Sequence, residues 1–398
     1  MESKAGRLFI AIATAVCVGA FSLFSIGVLV LFMTGNNVAA HDFIAYWSAG
    51  KLLAAHGNPY DSSAVLAVQR SAGFDQGLHP LLMRNPPPSL WIAWPFGYMS
   101  LRLGALIWSA ILAISLGLSV WMLRTVYRQQ SSISILLGIS FAPVLACLLA
   151  GQSSILVALG YTLFLRFHRI KPLWAGLGLW ACAIKPHLFI PVVLVLLLWS
   201  FTNKKNSAIA FAGLSITISS LAALLFDPHI YSHYREMLSN PVLRNEFIPC
   251  ISIALRALSP RHPAVMQFLP VTIACIWAAF YYLRHANEWR WEDHGNLLLL
   301  VSLATAPYAW VSDQAVALPA IIQLSGIRSR TILALTALAS ATIEIQVLSR
   351  VSFHSPAFLW SAPAWLLLYL IASRQRLRPE NLSAPPLAQE PAAATVKP

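Results

Sequence analysis

Apolar stretches recur along almost the whole chain, near 8–33, 102–123, 132–150, 153–167, 172–184, 188–201, 207–226, 264–283, 295–311, 314–326, 331–349 and 357–373. A backbone enclosed in that much hydrocarbon must satisfy its own hydrogen bonds, and in lipid, short of a closed barrel, that means helices. With 58% hydrophobic and 10% charged residues, a soluble domain is excluded. The pattern predicts an all-α polytopic membrane protein with about 10–12 transmembrane helices, several of them shorter than the ~20 residues of a full crossing. The first stretch, Leu8 to Phe32, is too long and too cleanly apolar for a cleaved signal peptide and reads as a retained helix.

The net charge of +13 would suggest nucleic acid in a soluble protein. Here its distribution matters more, and no nucleic-acid partner is expected. With spans alternating in orientation, 17 of the 27 Lys and Arg residues fall on the side of the N-terminus and 10 on the other, although the second side carries the two longest loops. Basic excess marks the cytoplasmic side, so both termini are predicted cytoplasmic, with loops 34–100 and 226–263 outside. Four of the five cysteines lie in apolar spans and Cys250 stands alone, so neither a disulfide framework nor a metal spacing follows. A single membrane domain is expected over 1–376. The Pro- and Ala-rich tail 377–398 reads as disordered and cytoplasmic.

The first outer loop is more than a linker. Phe43, Tyr46, Trp47, Leu52 and Leu53 recur at near-helical spacing, Asn58-Pro59 ends that helix, and a second helix is expected from Ser62 to Ala72. These are expected to lie along the outer membrane surface. Arg84-Asn85-Pro86-Pro87-Pro88 then imposes extended backbone before Trp91 and Trp94 at the interface.

Chemistry on the outer side must draw on Asp42, Asp61, Asp75, Asp227, Glu236, Glu246 or Asp313. Glu344 alone lies inside a span. Asp42 stands out: it follows the first span, sits beside His41, and precedes Tyr46 and Trp47, which suit a sugar site. A partly desolvated carboxylate next to an imidazole serves as a general base on a hydroxyl. The competing reading is a helix N-cap for 43–54. Lys185, between two apolar spans, and Arg84, before the proline run, supply positive charge for an anionic lipid headgroup, unless Lys185 only snorkels to the interface. Asp313 follows Pro307-Tyr308 at an outward turn, where Pro and Asp serve the backbone as well as a polar cavity.

Four stretches together resemble glycosyltransferase family 87, the DUF2029 group of polyprenyl-phosphate-sugar-dependent enzymes with the GT-C fold. They are Asp42 through Gly50 with Asn58-Pro59-Tyr60-Asp61; Asn85-Pro86-Pro87 leading to Pro95; Gly151-Gln152 with Lys185-Pro186; and Pro307-Tyr308 through Asp313. The resemblance implies a membrane hexosyltransferase that moves a sugar, often mannose, from a polyprenyl-phosphate carrier to a lipid or glycan hydroxyl with inversion. It implies Asp42 as the base. Asn85, Gln152, His187 and Tyr308, standing in or beside these motifs, join His41, Tyr46, Trp47, Arg84, Lys185 and Asp313 as substrate-binding candidates. One departure is Trp310-Val311-Ser312-Asp313, where mannosyl members often carry histidine, which leaves the donor sugar open. The donor is itself activated, so no cofactor is required, no glycine-rich phosphate loop is present, and no ligand cluster demands a metal. The setting implied is a bacterial inner membrane with the site facing the periplasm. A flippase or other transporter of lipid-linked sugars is the alternative, although the paired broken helices of transporter repeats are not evident. An O-antigen-polymerase-like enzyme would carry its large loop later in the chain.

Overall fold

A computed structural model describes residue 19 and residues 42–74, 79–129, 131–204, 206–326 and 329–376. The first apolar span, His41, Asp75 and the tail from 377 fall outside the described residues. Those described form helices and no strand. The protein is an all-α polytopic membrane protein.

The segment read above as the first outer loop folds as α1 (Phe43–Ala54) and α2 (Ser62–Ser71). Asp61 caps α2, its Oδ1 accepting from Ser63 N at 2.7 Å and Ala64 N at 3.1 Å. A surface-lying helix does not describe α1: Phe43 through Gly50 are all buried. The reason is in its sequence, which apart from Lys51 in the last turn is apolar or small on every side and therefore seeks protein contact all round. It crosses the short helical turns of residues 87–98 at close range. A Cβ on Gly50 would sit 2.8 Å from Gly97 N and closer still to the Ala93 carbonyl oxygen. Only glycine permits that approach. The Trp47 indole fixes the crossing by donating to Met99 O at 3.0 Å.

Next come α3 (Leu101–Val126), α4 (Ser132–Ile139), α5 (Ala142–Ala150), α6 (Ser154–Phe167), α7 (Pro172–Cys182), α8 (Ile190–Asn203) and α9 (Ser207–Ala223). The 226–263 segment holds α10 (Ile230–Ser239), α11 (Pro241–Asn245) and α12 (Ile251–Leu258). It is followed by α13 (Pro263–His285), α14 (Trp291–Thr305), a 3-10 turn Val311–Ala317, α15 (Leu318–Leu324), α16 (Arg330–Leu348) and α17 (Ser361–Arg376).

Four stretches are long and apolar enough to cross a membrane: Leu101–Val126, Pro263–Glu288, Arg330–Leu348 and Pro356–Arg374. The pair α4 and α5, bent by 45°, makes a fifth if counted as one span. The higher number read from hydropathy includes five shorter apolar helices: α6, α7, α8, α9 and Val311–Leu324. At 17 residues or fewer these fall below a straight crossing and pack among the longer ones. On α3 the division of faces is plain: the apolar Leu106, Ile114, Leu118 and Trp121 are exposed, while Trp108, Leu112, Ser115 and Ser119 face the bundle.

Candidate functional site

Three turns on different helices meet inside the bundle. The first ends α5. Gly151, in the left-handed region at φ 71°, reverses the chain so that Gln152, Ser153 and Ser154 project together. Trp108 anchors this turn by donating from Nε1 to Gly151 O at 2.6 Å. The second is the α7–α8 connection, Ala183 to Phe189, where Pro186 opens a short 3-10 turn and Lys185 precedes it in a non-helical conformation. The third is Val311–Ala317, entered from Pro307-Tyr308.

Lys185 and Asp313, separated by 128 residues, form a buried ion pair, Nζ to Oδ1 at 2.5 Å, with residue exposures of 6% and 1%. The ammonium also donates to Gln152 Oε1 at 2.7 Å and Ser154 Oγ at 2.9 Å. A lysine has three donors, and all three are engaged here. Ser154 in turn donates to Asp313 Oδ1 at 2.9 Å, and Trp310 N donates to Asp313 Oδ2 at 2.9 Å. Asp313 thus fills both roles suggested by its sequence setting: one oxygen holds the turn and the other meets the cation. Burial works to discharge Lys185, but the Asp313 carboxylate more than offsets it and raises the lysine's pKa above its ordinary value.

Tyr46 joins the network from α1, its hydroxyl donating to Ser153 Oγ at 3.0 Å with Gln152 Oε1 at 3.3 Å. Asp42 lies one helical turn before Tyr46, so the two share a face, and the Asp42 charge acts on the Tyr46 hydroxyl. The Asp42 backbone N–H donates to Ala150 O at 2.7 Å, tying it to the same turn after α5. Its carboxylate makes no cap hydrogen bond to α1, so the N-cap reading does not account for an aspartate here.

Asn85 donates from Nδ2 to Ile184 O at 3.0 Å and so positions the residue before Lys185. His187 stacks on Tyr308 with ring centroids 3.9 Å apart, and its Nε2 is shut off from solvent without a partner. Burial pushes the His187 pKa down to about 3, so the imidazole is neutral. Arg84 stands apart from Lys185. It pairs with Glu246, whose Oε1 meets His354 Nε2 at 2.9 Å. Trp47 is spent on the α1 crossing, and Glu344 is buried in α16 against Ser340, away from this centre.

Residues 84–311, more than half the chain, match glycosyltransferase family 87. The chain belongs to glycosyltransferase family 87. This family 87 enzyme is therefore a membrane glycosyltransferase. The match takes in Arg84, Asn85, Gln152, Lys185, His187 and Tyr308; it stops just short of Asp313 and begins well after Asp42, which it does not cover. No curated protein and no solved structure matches the chain. Ser153 and Ser154, which directly follow Gly151-Gln152, were not singled out from the sequence, nor was His354; Glu246 stood among the outer-side acids, but its pairing with Arg84 and His354 needs the fold.

Proposed function

We propose that this enzyme transfers a hexose from a polyprenyl-phosphate donor to a hydroxyl of a lipid or glycan acceptor, with inversion, on the outer side of a bacterial inner membrane. The observation that carries this reading is the constellation itself: Asp42 and Tyr46 on one face of α1, joined through Gln152 and Ser153 to a buried Lys185–Asp313 pair within a family 87 bundle.

In this reading Asp42 takes the proton from the acceptor hydroxyl as its oxygen attacks the anomeric carbon. The bond from that carbon to the donor's phosphate oxygen breaks, its electron pair stays on that oxygen, and polyprenyl phosphate leaves. Asp42 then releases its proton to water. A base in this position contributes about 10²–10⁴ in rate. Charge developing on the leaving phosphate calls for preorganised positive groups. Lys185 reaches the phosphate only where Gln152 or Ser154 yields a donor, because its three N–H bonds are otherwise committed. Arg84, with its side chain 31% exposed, is the more accessible cation. Neutral His187 on Tyr308 is suited to a sugar hydroxyl rather than to phosphate. The outward placement rests on the partition of basic residues.

Purified protein incubated with radiolabelled polyprenyl-phosphate hexoses and a bacterial membrane lipid extract tests this directly. Labelled acceptor together with released polyprenyl phosphate is the expected result. Movement of intact donor across the bilayer without turnover would overturn it in favour of a transporter.

A further inference from the structure

Between the two outer loops lies a cavity of about 230 Å³, lined chiefly by Asn58, Tyr60, Asp61, His233, Glu236 and Asn240. We propose that it binds the sugar or polyol head of the acceptor. This rests on the transferase reading above and adds to it a second site, away from Lys185 and Asp313.

Several polar atoms around the cavity are already spent. Asp61 uses Oδ1 on Ser63 and Ala64 at the start of α2. His233 uses Nδ1 on Asp227 Oδ2 at 2.7 Å. Asn58 accepts from Tyr60 N through Oδ1, and Asn240 accepts from Val242 N through Oδ1. Among the described residues, Asp61 Oδ2, the Glu236 carboxylate, His233 Nε2 and the two amide NH₂ groups remain around the cavity. That is a mixture of acceptors and donors, and a hydroxyl, which both donates and accepts, is the group that satisfies both. Two carboxylates disfavour a phosphate. Among the described residues no group of three or more His, Cys, Asp and Glu side chains is placed to hold a metal ion. A neutral polyhydroxy ligand fits best, and the volume suits one hexose ring.

The cavity is also coupled to the centre. Tyr60 lines it and donates to Asn85 O at 2.9 Å, and Asn85 in turn holds Ile184 O beside Lys185. The Tyr60 ring packs on Tyr234 at 5.2 Å, and Tyr234 OH bonds to Arg84 O at 3.4 Å. A ligand seated here is therefore linked through Tyr60 to the Arg84-Asn85 segment that positions the lysine turn.

The test uses the full-length protein in lipid nanodiscs, free of sugar detergents, and saturation-transfer NMR with the methyl α-glycosides of glucose, mannose and galactose, plus glycerol 1-phosphate as the anionic control. At least one glycoside is expected to receive saturation and the phosphate none. Glu236→Gln and Asn240→Ala each weaken that binding roughly tenfold, as loss of one charge-assisted or amide hydrogen bond requires. Both positions are at least partly exposed, and unchanged melting in the variants shows that folding is intact. Asp42→Asn is expected to keep the glycoside bound, so failure of the base assignment shows in turnover and leaves this site standing. No glycoside binding, binding indifferent to both substitutions, or preference for the phosphate would each overturn the proposal.

Discussion

Replacing Lys185 by Met keeps most of the side-chain volume and leaves the Asp313 carboxylate buried, 1% exposed, without its cation. Breaking a buried pair from one side costs about 3–5 kcal/mol, because the remaining charge has lost its compensation. Spread over an unfolding entropy of roughly 2.1 cal/mol/K per residue, that loss lowers the melting midpoint by about 4–6 °C. The double variant Lys185→Met/Asp313→Leu removes both charges and is expected to regain most of the loss. It falls short by about 1 kcal/mol, since Asp313 Oδ2 no longer accepts from Trp310 N. The assay is tryptophan-monitored melting in nanodiscs of the wild type, both single variants and the double, with hexosyl transfer measured on the same samples. Stability should return in the double variant and activity should not. A Lys185→Met protein as stable as the wild type, or a double variant whose loss is the sum of the singles, would refute the buried-pair account.

Further outcomes follow from other parts of the fold. Gly50→Ala should force α1 away from the 87–98 turns and lower both melting midpoint and turnover. A fully stable and active Gly50→Ala enzyme would show that the crossing is looser than its contacts imply. His187 titrates near 3 when folded and near 6.5 when unfolded, so the unfolded chain binds more protons between those values. Its stabilising contribution is complete above about pH 6.5 and is lost as pH falls from there. Melting of His187→Phe, which keeps the stack on Tyr308, should therefore depend less on pH between 7 and 5 than that of the wild type; identical slopes would remove the buried neutral imidazole from the account. Reporters fused after Arg128, Lys205 and Arg330 should read cytoplasmic, and those within 60–74 or 235–250 external. A cytoplasmic signal from 60–74 would invert the placement of every outer-side residue.

Local signals in the sequence carried much of the fold. Spaced aromatics, the Asn58-Pro59 break and the apolar spacing from Ser62 marked α1 and α2; the Asp61 cap that starts α2 is seen in the fold. The extended backbone at Pro86, with ψ 156°, follows from the proline that comes after it, but Pro87 and Pro88 enter a 3-10 turn instead of continuing the extended run expected there, since proline's fixed φ also suits the first turn of a helix. Two features were not legible. Helix α1 is buried on all sides, and an apolar helix of 12 residues reads the same whether protein or lipid covers it. The Lys185–Asp313 pair is a meeting of two turns far apart in sequence, and a lysine near a helix end carries no mark of whether it will snorkel or pair. The short apolar helices were visible as stretches, but their lengths, which set how they pack, depend on the Gly151 and Lys185-Pro186 breaks between them.

The central claim is that Asp42 removes the acceptor proton, and one substitution tests it most directly. Asp42→Asn keeps the size of the side chain, and because the aspartate makes no cap bond to α1, expression and melting should change little. With a polyprenyl-phosphate hexose donor and saturating acceptor, turnover should fall by about 10² or more, with donor binding retained. Turnover near that of the wild type in a folded Asp42→Asn protein would contradict the account.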